Sequence, residues 1–143
     1  MERSVFMSPG PYSGNIANES ICDIYTRFFK AVLRFQEPNG RGSVMIRKND
    51  DDKTMHFDAH YCNYENMDCT RRIAEYLRFP GFFMPGIDPE SLDSFHCTIE
   101  KIEYSNHDFG LSNIITSMKN VLPNAMITDQ FVKNDFCSLQ FQT

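Results

Sequence analysis

Apolar residues recur along this chain in two rhythms, one of three to four residues and one of two, and the changes of rhythm mark its elements. From Glu19 to Gln36 the residues Ile21, Ile24, Tyr25, Phe28, Val32 and Phe35 make one stripe at helical spacing, with Arg27, Lys30 and Arg34 on the far side. Pro38-Asn39-Gly40 is turn chemistry and ends that helix. SVMIRK (43–48) and KTMHFDAHYC (53–62) flank the polar run Asn49-Asp50-Asp51-Asp52 and predict a hairpin. In its second arm Met55, Phe57, Ala59 and Tyr61 fall on one side of the strand, the side that faces a core. A second helix is expected through about Leu77, capped by Asn66 or Asp68, with Cys69, Ile73, Tyr76 and Leu77 turned inward.

The rhythm then breaks. FPGFFMPGI (79–87) carries two Pro-Gly pairs among large apolar residues, which excludes regular structure, and Asp88-Pro89-Glu90 after it predicts a short helical turn. FHCTIEKIEY (95–104) alternates through Phe95, Cys97 and Ile99 and then shifts phase to Ile102 and Tyr104, which predicts a bulge near Glu100 and Lys101. Asp108 is placed to cap a third helix with a stripe of Leu111, Ile114, Ile115, Met118, Val121 and Leu122, stopped by Pro123. AMITDQFV and FCSLQF, separated by Lys133-Asn134-Asp135, predict a closing hairpin. The order is α-β-β-α-β-α-β-β. Hairpins in place of regular βαβ units make the class α+β, a mostly antiparallel sheet with about three helices packed on it.

Composition narrows this only a little. The 143 residues suit one domain, expected over 16–143, after a Pro/Gly-rich flexible lead-in at 1–15. Phe6 and Tyr12 make that lead-in a candidate docking segment that orders on binding. With 13 Phe, 6 Tyr and no Trp, the core is expected to be rich in phenylalanine. Five cysteines without a CxxC pair, and an N-terminus without an unbroken apolar run, point to reduced thiols in an intracellular compartment, cytoplasm or nucleus. No apolar stretch approaches the ~20 residues that span a bilayer, so no membrane association is expected.

The net charge of −5 argues against a general polyanion binder, but it is unevenly spread. Arg27, Lys30, Arg34, Arg41, Arg47 and Lys48 stand against Glu37 alone, a local +5, and the rest of the chain carries −10. Such a helix-to-strand stripe is a candidate phosphate-binding surface, for nucleic acid or a phosphopeptide. The alternative is a solvated helix face paired with the acidic turn at Asp50, Asp51 and Asp52. GSVMIRK (42–48), with Arg47 in the arginine position, resembles the start of an SH2 domain, where a strand arginine binds phosphotyrosine. The resemblance covers fewer than ten residues. The aromatic residue usual ahead of the first helix is missing and a helix follows too soon after the hairpin, so the function is not carried over.

HFDAHYC puts His56, Asp58, His60 and Cys62 at alternate positions, on one face of a strand. Side chains two apart start about 6.6 Å from each other and can share a metal, whereas those four apart start about 13 Å away and scarcely can. A site built on His56, Asp58 or His60 needs a further ligand from elsewhere, and the spacing to His96, Cys97 and His107 matches no finger or ribbon pattern. A wet face of an antiparallel strand accounts for the same alternation, so no metal or other cofactor is assigned. Nucleophile motifs are absent: there is no GxSxG, no HExxH and no glycine-rich phosphate loop.

The strongest sign of recognition is the apolar loop, where Phe79, Phe82, Phe83 and Met84 offer the large adaptable side chains found at interface cores. The functional expectation is a non-catalytic binding or assembly module whose partner is another protein or a second copy of itself. Phosphate recognition, with nucleic acid the less favoured ligand, comes second, and a small metal-dependent enzyme third.

Overall fold

In the computed structural model the described residues are 21–35, 38–51, 53–78, 94–103 and 110–143, with only the backbone described at 74, 77, 78 and 94–103. Outside them fall the lead-in at 1–15, the loop residues Phe79, Phe82, Phe83 and Met84, the turn expected after Asp88, and Asp108. The elements follow the expected order: α1 (Ile21–Phe35), β1 (Arg41–Lys48), β2 (Thr54–Cys62), α2 (Met67–Arg78), β3 (Ser94–Glu103), α3 (Leu111–Val121), β4 (Met126–Lys133) and β5 (Phe136–Gln142). The fold is α+β. Its strands form one sheet in the order β3-β2-β1-β5-β4, with every neighbouring pair antiparallel.

β1 becomes the central strand because one side pairs with the strand that follows it, β2, and the other with the last strand, β5. Val44 lies opposite Ala59 on β2 and Leu139 on β5, and Ile46 opposite Phe57 and Cys137. Alternation then gives the sheet an inner face of Val44, Ile46, Met55, Phe57, Ala59, Tyr61, Cys137, Leu139 and Phe141, all buried. The phase change in β3 is a bulge. Ile102 pairs with Met55 and Ile99 with Phe57, so Glu100 and Lys101 together face the single residue His56.

The three helices cover that inner face. α1 buries Ile21, Ile24, Tyr25, Phe28, Phe29, Ala31 and Val32, a wider face than the stripe read from the sequence. The extra width has a cause: α1 is flanked on both sides. Thr26 shares a 2.6 Å hydroxyl hydrogen bond with Ser117 of α3, while the Cys69 thiol of α2 donates to the Phe35 carbonyl. Phe28 and Phe29 meet the Phe141 ring at 6.3 and 5.7 Å, which makes an aromatic cluster at the centre of the core.

Local signals end the elements as expected in some places and differently in others. Asn39 adopts φ 72°, the left-handed conformation that asparagine tolerates, and turns the chain into β1. Asn66 caps α2 by accepting the Cys69 N–H at 3.2 Å, and Asn63 Oδ1 accepts the N–H groups of Glu65 and Asn66 just before it. α3 starts at Leu111 with Gly110 at the N-cap and no side-chain cap bond, two residues beyond the cap expected at Asp108, which lies outside the described residues. Tyr76 was expected inward, yet it is 42% exposed; its ring meets the edge of Phe35 at 5.7 Å, at the rim of the α1–α2 contact.

Candidate functional site

Because the helices lie on one face, the opposite face of the sheet is built from the other set of alternating residues. Across β2, β1, β5 and β4 the register sets out rows: His56, Arg47, Phe136, Lys133; then Asp58, Met45, Ser138, Phe131; then His60, Ser43, Gln140, Asp129. Asp51 holds the β1–β2 turn. Its carboxylate accepts the N–H groups of Lys53 and Thr54 and the Thr54 hydroxyl, and these bonds hold its pKa below the usual value.

The hydrogen-bonding edge at β4 is the most unusual part of this surface. Val132 is 59% exposed, although its cross-strand neighbour Cys137 is fully buried, so the helix layer ends between β5 and β4. Met126 is 66% exposed and Phe131 46%. Phe131 packs on Phe136 at 5.7 Å with the rings near perpendicular, and the Lys133 ammonium lies 5.6 Å from the Phe131 ring centre. An edge strand with large apolar side chains exposed on both faces is an adhesive element, and among the described residues no strand pairs with its outer side. Two features blunt it: the pairing with β5 shifts register between Ile127 and Asp129, and Asp129 Oδ1 accepts the N–H of Gln130.

The residues singled out from sequence are distributed as follows. Phe79, Phe82, Phe83 and Met84 lie outside the described residues. The six cations do not form one surface. Arg27, Lys30 and Arg34 sit on the α1 side away from the core, whereas Arg41 and Arg47 alternate onto the far face of the sheet, and Lys48 falls on the helix side of β1. A sheet layer separates the two groups. Arg34 is also engaged, with its guanidinium 5.5 Å from the Phe35 ring centre and 5.4 Å from that of Tyr76. His56, Asp58 and His60 are half-buried on the far sheet face as alternation predicts, and none of the three is without an interaction partner. Among the described residues no three His, Cys, Asp or Glu side chains are grouped to hold a metal ion.

Two buried ionisable groups are set by the core. Burial pushes the Tyr61 phenol up to about 12, partly offset by its 3.1 Å hydrogen bond with the Thr143 hydroxyl, and burial pushes the Cys137 thiol up to about 11. Burial thus favours the neutral form of both groups, which pack in the core.

Sequence reading passed over Met126, Phe131 and Val132. Phe131 and Val132 are adjacent, so one of them faces each side of any strand, and this is a usable sign of an edge or of full burial. Which of those two applies depends on strand order. No protein-family model, no curated protein and no solved structure matches the chain. Among the described residues no helix is long and apolar enough to cross a membrane.

Proposed function

We propose that the chain is a non-catalytic protein-binding or assembly module of the adaptor kind, with strand β4 as its contact surface. The observation that carries this reading is the exposure of Met126, Phe131 and Val132 on an edge strand whose neighbour β5 is buried on its inner face. An extended segment of a partner adds to such an edge through main-chain hydrogen bonds, and the flanking side chains select it. The loop residues Phe79, Phe82, Phe83 and Met84 stay in the proposal as a second contact, supported by their composition. An intracellular setting suits the free thiols of Cys22, Cys62, Cys69 and Cys137.

The test is photo-crosslinking in cells of the native source, with p-benzoylphenylalanine in place of Val132 and, in a parallel experiment, in place of the exposed Lys119 on α3. Discrete adducts from position 132 that disappear with Phe131→Glu are expected, with none from position 119. No adduct from 132, or the same pattern from both positions, removes the proposal.

A further inference from the structure

We infer that β4 pairs with β4 of a second copy, antiparallel and about a two-fold axis through Phe131, to make one continuous ten-stranded sheet. This inference rests on the reading of β4 as the contact surface and names its occupant. Three features of the strand point to a copy of itself.

The first is length. Regular pairing on β4 is limited by the register shift between Ile127 and Asp129 at one end and by the Asn134-Asp135 turn at the other. The uninterrupted segment is therefore Asp129 to Lys133, and Phe131 is its midpoint. A two-fold axis there uses the whole segment in both copies.

The second is charge. The strand MITDQFVK has one acid and one base, Asp129 and Lys133, two residues on either side of Phe131 and on the same face of the sheet. Antiparallel pairing centred on Phe131 sets Asp129 of each copy opposite Lys133 of the other, so an attractive pair forms twice. In the single chain Asp129 Oδ1 accepts the outward-facing Gln130 N–H at 2.8 Å, so pairing exchanges that bond for one to the Val132 carbonyl of the other copy and releases the carboxylate to the ammonium. Centres at Gln130 or Val132 leave both charges opposite uncharged or like-charged residues. An isologous contact must be self-complementary, and this centre alone makes it so.

The third is apolar cover. Phe131, 46% exposed, meets its own copy on the far sheet face, and Val132, 59% exposed, lies beside the stem of Gln130 from the other chain on the helix side. The two largest exposed apolar side chains of the regular segment are thus both covered. The paired segment is short, so the dimer is weak and dissociation on the order of micromolar is expected.

Sedimentation equilibrium on the full chain, from roughly 1 to 500 µM, brackets that range. The wild type is expected to be a monomer–dimer mixture. Asp129→Lys or Lys133→Glu alone turns two attractions into two repulsions and weakens association by about tenfold, while the double variant D129K/K133E restores it to within about threefold. Phe131→Glu abolishes it. The side chains at all three positions are exposed, so circular dichroism and thermal midpoints close to wild type verify that each variant is folded. A wild type that stays monomeric overturns the inference, as does a dimer indifferent to the charge exchange. If it is monomeric but the crosslinks from position 132 to other proteins persist, self-pairing fails and the binding-module reading stands; if both are absent, both fail.

Discussion

The ring of Phe141 occupies the space in which a side chain at Gly42 would stand. The two are cross-strand partners between β5 and β1, and a Cβ built on Gly42 would lie 2.3 Å from Phe141 Cζ. Phe28 and Phe29 hold that ring from the helix side, so it has nowhere to retreat. A glycine under an aromatic ring of the neighbouring strand lets the helix layer come close to the sheet.

Gly42→Ala should therefore destabilise the protein by about 1–3 kcal/mol, the range for overpacking a core. In thermal unfolding that is a fall of about 4 °C per kcal/mol. Adding Phe141→Leu should recover part of the loss, and a double-mutant cycle measures the coupling. Independent, additive effects would show that the ring is not what Gly42 accommodates.

Asn66→Ala should cost about 1 kcal/mol, because it removes the oxygen that accepts the Cys69 N–H at the start of α2. Asn66→Ser keeps an acceptor and should lose much less. Urea midpoints of the two variants check this, and equal losses would count against the cap.

The pH dependence follows from two raised pKa values. A group whose folded pKa lies above its unfolded one stabilises the fold fully below the unfolded value, and the contribution is lost as pH rises through the folded one. For Cys137 this window runs from 9.0 to about 11, and for Tyr61 from 10.0 to about 12. Stability should be flat at neutral pH and fall progressively on the alkaline side. Tyr61→Phe should remove the upper part of that fall, at a cost of about 1 kcal/mol at neutral pH for the lost bond to Thr143. Urea unfolding of both proteins across the alkaline range is the measurement. On the acid side Asp51 has the opposite sign: its stabilisation is present above 3.8 and fades as pH falls through its lower folded value.

Thiol labelling should distinguish surface from core. Cys22 is exposed on α1, whereas Cys62, Cys69 and Cys137 are buried. A brief alkylation of the folded protein, mapped by peptide mass spectrometry, should mark Cys22 and leave those three unmodified until denaturant is added. Rapid labelling of Cys137 would contradict its place on the inner face of β5.

Much of the fold was legible because its signals are local. The stripe from Ile21 to Phe35 made α1, the alternation of Met55, Phe57, Ala59 and Tyr61 fixed the inner face of β2, and the phase change after Ile99 located the bulge. Helical and strand periods are properties of neighbouring residues, and a reader of the sequence needs nothing else to find them. Phe29 was missed because its place is set by a residue distant in sequence, Phe141 of β5, whose ring it meets at 5.7 Å.

What only the tertiary structure decided is which element lies beside which. The sequence placed Arg27, Lys30, Arg34, Arg41, Arg47 and Lys48 close along the chain, but folding put a sheet between the first three and Arg41 and Arg47. It could not show that β5, the last strand, inserts next to β1 and leaves β4 at the edge. Periodicity assigns each side chain to a face. Whether that face is covered depends on strand order and on how far the helix layer extends, and both are set by contacts between residues distant in sequence. The determined part is thus the alternation that turns Phe131 and Val132 to opposite faces, and the decided part is that neither face of β4 is covered by its own chain's described helices.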